Sequence, residues 1–314
     1  MIQMRKYLLL FGLGPVFLLG CSSNDLPSTG IDPDPGTGTS EVPIQIETHV
    51  ASTRAGLSVQ NTEFDKGAQV NVFLSEATTG TPSTRYTQPM TYVTTNYAGA
   101  MSPSNSIFPY YPANGNDVNL WACYPSTVNQ NTTTFTVLND QTDNSNYKKS
   151  DLMYCKEENI ARQKTVVPIT FYHKMAKVQI YLSVPAGKDA SVLNNSTVTI
   201  TNVMRTIAIN PSAQTIGTTA AELSNKGNIV VTYNGALNSA AIIVPQTVDP
   251  DYFLEIRLGN GDVLNYMLPQ SIEFKSGTVN TFQISVNEQV IKATYTVRPW
   301  NDAPDINADV SLDA

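Results

Sequence analysis

The sequence predicts an all-β protein made of two consecutive β-sandwich domains. Short runs of alternating apolar and polar residues recur along most of the chain, and Gly, Pro and Asn clusters separate them. No long stretch carries the 3.6-residue period of an amphipathic helix. The composition points the same way. Only 14% of the 314 residues are charged, well below the ~25% of an ordinary soluble protein, and Thr, Asn, Ser and Gln fill the gap. These residues suit strand edges and turns better than helix faces.

The opening segment lies outside this pattern. Arg5 and Lys6 precede an apolar run from Tyr7 to Gly20. The run is too short for a bilayer-spanning helix of about 20 residues but right for the core of a secretory signal. It ends in Leu18-Leu19-Gly20-Cys21, followed by Ser22-Ser23-Asn24-Asp25. That arrangement looks like a bacterial lipobox, in which Cys21 is joined to diacylglycerol and becomes the mature N-terminus. An ordinary signal peptide is the simpler alternative; the position, flanks and following polar residues favour the lipobox. Removing residues 1–20 takes away two bases and no acid, shifting the net charge from −7 to −9.

Residues 21–41, rich in Pro, Gly, Ser, Thr and Asp, read as a flexible tether. Val42, Ile44, Ile46, Thr48 and Val50 then alternate with polar residues, the pattern of a half-buried strand. Ala51-Ser52-Thr53-Arg54-Ala55-Gly56 follows at once. A single arginine among small residues, in an exposed extended segment, suits a trypsin-like protease. Cutting between Arg54 and Ala55 would detach the strand 42–50 and leave an apolar groove with unpaired backbone groups. Near the other end, Ile306, Ala308, Val310 and Leu312 alternate with Asn307, Asp309 and Ser311. A neighbour's segment 305–313 is a candidate filler, giving a linear polymer through head-to-tail contacts. Composition alone favours a simpler reading, with Arg54 a loop arginine and both segments strands of their own chain.

Between these ends, strand-like runs include AQVNVFL, DVNLWAC, VVPITFYHKMAKVQIYL, STVTITNV, YFLEIRL, VNTFQISV and VIKATYTV. A polar stretch over 157–164 places the domain boundary near Lys164, giving domains of 42–164 and 165–314.

Several function classes are weakened by what is present. An acidic chain (pI about 4.8) with no basic run does not suit nucleic acid. Two histidines leave little for a zinc site or catalytic dyad. His173 lies in an alternating strand and reads as a core histidine; His49 lies on the strand proposed to be removed. No hydrolase, zincin, phosphate-loop or dinucleotide motif occurs, so the chain reads as a non-enzyme without catalytic residues, cofactor or metal. Cys123 and Cys155 are permitted a disulfide by an exported route, yet two small buried thiols are the preferred reading. Phe108-Pro109-Tyr110-Tyr111-Pro112 is the best patch for stacking on a sugar, with packing at a domain edge the favoured alternative.

The chain resembles the fimbrillin family, the type V pilins and Mfa-like surface lipoproteins of Bacteroidales. The resemblance rests on Cys21, on Thr53-Arg54-Ala55, and on GAQVNVFL after Phe64. Further on it rests on Leu120-Trp121-Ala122-Cys123-Tyr124-Pro125 after a YPANG turn, and on Asp151-Leu152-Met153. It continues through Phe171-Tyr172-His173-Lys174-Met175-Ala176-Lys177-Val178, Ile243-Val244-Pro245-Gln246-Thr247, the Gly277 to Val286 strand and Val297-Arg298-Pro299-Trp300. It implies two transthyretin-like sandwiches, lipoprotein export to the outer membrane, arginine-specific removal of the N-terminal strand, and polymerisation by strand exchange. Carried onto this chain, Cys21 is lipidated and Arg54–Ala55 is cleaved. Val42, Ile44, Ile46 and Val50 belong to the removed strand, and Ile306, Ala308, Val310 and Leu312 to the donor. The implied role is a fimbrial subunit or accessory tip or anchor pilin. Its partners are other pilin subunits, outer-membrane lipid through Cys21, and a host or bacterial surface glycan or protein. The rival is a monomeric outer-membrane glycan-binding lipoprotein.

Overall fold

Alternation and turn punctuation translate into strands. The computed structural model describes residues 41–51, 64–77, 86, 89–217, 226–231, 238–287, 290–300 and 308–310. The chain first forms β1 (Ile46–Val50), β2 (Gln69–Glu76), β3 (Met90–Thr94), β4 (Met101–Pro103) and β5 (Val118–Tyr124). Next come β6 (Thr134–Thr136), β7 (Asp140–Gln141), the helix α1 (Asn144–Lys149), β8 (Met153–Ile160) and β9 (Val167–His173). Then follow β10 (Ala176–Ser183), a 3-10 turn (Ala190–Leu193), β11 (Thr197–Met204), β12 (Thr206–Asn210), β13 (Thr215–Gly217) and β14 (Lys226–Val231). The remainder is β15 (Asn238–Ile243), β16 (Gln246–Val248), β17 (Tyr252–Arg257), β18 (Val263–Met267), β19 (Ile272–Phe274), β20 (Thr278–Asn287), β21 (Val290–Pro299) and β22 (Ala308–Val310). The fold class is all-β.

One seven-stranded sheet, in the order β1-β9-β8-β5-β2-β3-β4, is built from residues 46–173. Two five-stranded sheets, β15-β10-β20-β21-β22 and β18-β17-β11-β14-β7, draw mainly on the second half. The inward side chains form two hydrophobic clusters. One gathers Val42, Ile44, Phe64, Val70, Tyr92, Leu120 and Phe171 on one face of the first sheet. The larger gathers Val178, Ile200, Phe253, Phe282 and Trp300 between the other two sheets, and also takes Phe73, Cys123 and Tyr154 from the first sheet's opposite face.

Two features depart from a simple reading of the strand pattern. The run from Val166 to Leu182 is two strands in different sheets: β9 ends at His173, and β10 begins at Ala176. Lys164 itself lies in the connection between β8 and β9, neighbours in one sheet. The segment 134–149 also leaves the first sheet to add strands elsewhere. In it β6 pairs with β12, and β7 lies parallel to β14. Gln141, 1% exposed, acts as a side-chain strand: its Oε1 accepts the Ile242 N–H and its Nε2 donates to the Ile242 carbonyl, both at 2.8 Å. Asn71 holds the segment's start, donating from Nδ2 to the Ser126 and Val128 carbonyls. The helix α1 carries no apolar period. Its start is set by Asp143, whose carboxylate accepts the Ser145 and Asn146 N–H groups at 2.7 and 2.9 Å.

Cys123 and Cys155 are free and buried. Cys123 is paired in register with Tyr154, and Cys155 with Ala122. Successive strand side chains point to opposite faces, so the two thiols sit in different clusters and cannot bridge. Burial pushes both thiols up, that of Cys123 to about 12.

Candidate functional site

The residues around β1 form the most constrained segment tied to the predicted sites. Val42, Ile44, Ile46, Thr48 and Val50 are all buried, at 0–6% exposure, while Glu47 and His49 face outward. The alternation in the sequence is therefore the alternation in the fold. Both backbone edges of this segment are occupied. On one edge β1 runs parallel to β9, with Ile46 opposite Val167, Thr48 opposite Ile169 and Val50 opposite Phe171. The Ala51 N–H extends the pairing to the Phe171 carbonyl at 2.9 Å.

The second edge is the stretch 99–111, largely irregular apart from β4. The Ile44 N–H donates to the Pro109 carbonyl at 2.8 Å, and the Tyr111 N–H donates to the Val42 carbonyl at 3.0 Å. Thr48 donates twice to the Gly99 carbonyl, from its N–H at 2.9 Å and from Oγ1 at 3.1 Å. Gly99 has φ of +89°, and a β-carbon there would overlap the Thr48 carbonyl oxygen. Only glycine permits this approach. Segment 42–51 is thus an internal strand of the first cluster, joined to chain that follows it on both sides.

Magnitude matters here. Burying a Val or Ile side chain is worth roughly 1.5–3 kcal/mol, so the four aliphatic residues together rival the ~5–15 kcal/mol net stability of a domain. Taking the strand out without a replacement opens the first cluster from end to end.

The other predicted residues are placed as follows. Cys21, Arg54, Ala55, Ile306 and Leu312 lie outside the described residues. Ala308 and Val310 belong to β22, whose backbone pairs antiparallel with β21: Ala308 opposite Val297 and Val310 opposite Tyr295. Described pairing of the tail is thus confined to three positions at a sheet edge of its own chain. The proline-flanked aromatic patch packs alongside the 42–51 segment rather than standing free; Pro109, Tyr111 and Pro112 are buried. Among the described residues no His, Cys, Asp and Glu side chains group so as to hold a metal ion.

Two further features escape sequence reasoning. One is a buried cluster at the crossing between the first and second sheets. His173 Nδ1 lies 3.0 Å from both carboxylate oxygens of Asp151, and its ring stacks on Trp300. Lys177 Nζ lies 5.5 Å from the Trp300 ring centre. His173 was legible as a core histidine; Asp151 and Trp300 stood in motifs, but nothing in the sequence paired them with it. The other feature is a cleft of about 500 Å³ lined by Asp65, Lys66, Tyr124, Ser126, Lys148 and Lys149. Lys148 is ion-paired with Asp65 across it.

Comparison with solved structures finds the same fold in a proposed cell adhesion protein from Bacteroides uniformis. It is 17% identical, with a TM-score of 0.64 over 82% of this chain and 98% of that one. A second, from Bacteroides ovatus, is 16% identical with a TM-score of 0.65 over 84% and 99%. The C-terminally truncated tip fimbrial protein Mfa3 from Porphyromonas gingivalis is 8% identical, with a TM-score of 0.50 over 83% and 100%. No curated protein sequence matches. A protein-family model described as fimbrillin-like matches residues 53–300. This chain belongs to the fimbrillin-like family.

Proposed function

We propose that the protein is a structural subunit of a cell-surface fimbrium, a stalk, tip or anchor pilin rather than an enzyme. It is exported as a lipoprotein through Cys21, held at the outer membrane, cut between Arg54 and Ala55, and joined to other pilin subunits by strand exchange. The observation that carries this reading is the placement of residues 42–50. They form a buried strand bonded on both edges and lie immediately before Thr53-Arg54-Ala55. A strand whose loss unfills one hydrophobic cluster, set beside a protease-suited arginine, is a device for making a vacancy on demand. The two-domain division at 42–164 and 165–314, each a transthyretin-like sandwich, belongs to the same proposal; two hydrophobic clusters fit two sandwiches, with β9 contributing Val167, Ile169 and Phe171 to the first cluster.

Purified precursor treated with an arginine-specific protease tests the reading. The expected product begins at Ala55 and forms ladders of oligomers, while an Arg54→Ala precursor stays intact and monomeric. A monomeric product, or identical behaviour of the Arg54→Ala control, overturns it.

A further inference from the structure

The groove left by residues 42–50 has an uneven set of places, and this decides how a donor lies in it. Resting on the strand-exchange reading above, we propose that segment 306–314 of one subunit enters another subunit's groove in the reverse direction. It lies antiparallel to the strand it replaces, with Ala308 in the place of Thr48.

Five inward places must be filled, those of Val42, Ile44, Ile46, Thr48 and Val50. Ile44 and Ile46 are among the largest fully buried side chains of the protein. An alanine in either place would leave most of an isoleucine's volume empty. The Thr48 place differs because the Gly99 carbonyl faces it, 3.1 Å from the Thr48 Oγ1. An alanine fits there without crowding that carbonyl, whereas a side chain larger than threonine would press on it. Ala308 therefore belongs at Thr48.

Direction follows from what flanks it. In the reverse direction Ile306 takes the Val50 place, Val310 that of Ile46, Leu312 that of Ile44 and Ala314 that of Val42. All five places receive an apolar side chain, and Asn307, Asp309, Ser311 and Asp313 face outward. In the forward direction Pro304 would fall at Ile44 and Asp302 at Val42. Proline lacks the bulk that the Ile44 place needs, and the aspartate would bury a charge. A forward shift that puts Ala308 at Val42 leaves Ile306 outside and the Val50 place empty.

Backbone pairing agrees. With the strand reversed and the same face inward, the inward residues turn their N–H and C=O groups towards β9. Ala308 and Ile169 then exchange both hydrogen bonds, flanked by Ile306 with Phe171 and Val310 with Val167, a regular antiparallel ladder. In the precursor the same tail has three described paired positions at the edge of β21, a small hold to release.

Engineered cysteines read the register directly. The place of His49 is opposite Thr170, an outward pair close enough for a disulfide. The reverse register puts Asn307 there; the forward register with Ala308 at Thr48 puts Asp309 there. Full-length Asn307→Cys/Thr170→Cys and Asp309→Cys/Thr170→Cys proteins are cleaved, assembled and oxidised, then run under non-reducing denaturing conditions. Covalent ladders from the first and none from the second are expected. Ladders from the second alone, or assembled polymer with ladders from neither, overturn the register while leaving exchange intact. Absence of assembly in the cleaved wild type overturns exchange and the register together. Independently, Ala308→Leu is expected to abolish assembly while the uncleaved precursor keeps its melting temperature; unchanged assembly contradicts the assignment of Ala308.

Discussion

The imidazole of His173 lies flat on the indole of Trp300, ring centres 3.7 Å apart and planes 9° from parallel. His173 ends β9 in the first sheet, and Trp300 follows β21 in another. Backbone bonds reinforce the junction: the Trp300 N–H donates to the Gly277 carbonyl, and the Gly277 N–H to the Met175 carbonyl. One point therefore fixes the end of the first sheet, the start of β10 and the root of the tail. With Trp300 2% exposed, Trp300→Ala is expected to lose roughly 3–5 kcal/mol, while Trp300→Phe, which keeps a stacked ring, loses less. Urea unfolding measures both; equal losses would show that the ring retained by phenylalanine contributes nothing at this site.

Asp151 and His173 are both 0% exposed. Removing one member leaves the other's polar atoms in a dry setting, so each single change to alanine is expected to cost about 3–5 kcal/mol. The double variant is expected to cost less than the sum, with a coupling of roughly 0.5–3 kcal/mol. A double-mutant cycle by urea denaturation gives that number, and strict additivity would mean that the two groups do not act as a pair.

Alkaline stability offers a separate test. Burial holds the Lys177 ammonium at about 8, against an ordinary 10.5. Between those values the unfolded chain binds the extra proton, so this group makes stability rise with pH. The buried thiols act in the opposite sense. Cys123 and Cys155 stay protonated in the fold while unfolded thiols ionise near 9.0, so stability falls above that pH. Two falling contributions outweigh one rising one, and buried tyrosines such as Tyr92 and Tyr295 join the fall above 10.0. A shallow maximum near pH 9 is expected in unfolding free energy measured from pH 7 to 10.5. Lys177→Met should remove the rising limb, and Cys123→Ala/Cys155→Ala should delay the fall.

Gln141 joins the 134–149 segment to β15 through the Ile242 backbone. Gln141→Leu preserves bulk but orphans a buried N–H and C=O, a loss of roughly 2–6 kcal/mol at about 1–3 kcal/mol per group. Limited proteolysis of 134–149 should accelerate with it. A variant as stable and resistant as the wild type would assign the joint to apolar packing alone.

The inward face of 42–50 was legible because five inward residues alternate without interruption, and period 2 is a local property. Its second edge was not legible. Gly99 and Pro109 lie in an irregular stretch with no alternation, and their pairing to Thr48 and Ile44 depends on long-range closure. The crossing at Lys174–Met175 was hidden for a related reason, since strands in two different sheets keep the same period and nothing marks the passage. Helix α1 was hidden by its brevity: its only buried side chain is Tyr147, and its start rests on the Asp143 cap. Asp151 and Trp300 lay in motifs that the sequence displayed, but motif order says nothing about which side chains meet.

Gly99 provides the most local test of the two-edged strand. Gly99→Ala adds a β-carbon that would overlap the Thr48 carbonyl oxygen, at a residue whose φ is +89°. Gly115 is the matched control: its φ is +80°, and a β-carbon there meets nothing within 4 Å. Gly115→Ala therefore carries only the left-handed backbone cost, about 1 kcal/mol, whereas Gly99→Ala adds an overpacking cost of roughly 1–3 kcal/mol. The excess is expected to fall on segment 42–51. Hydrogen exchange should show faster exchange of the Ile44 and Thr48 amides, which donate to Pro109 and Gly99, with the amides of β20 and β21 unchanged. If the two alanine variants exchange alike, the approach of Gly99 to Thr48 has slack, and the strand is held chiefly by its pairing with β9.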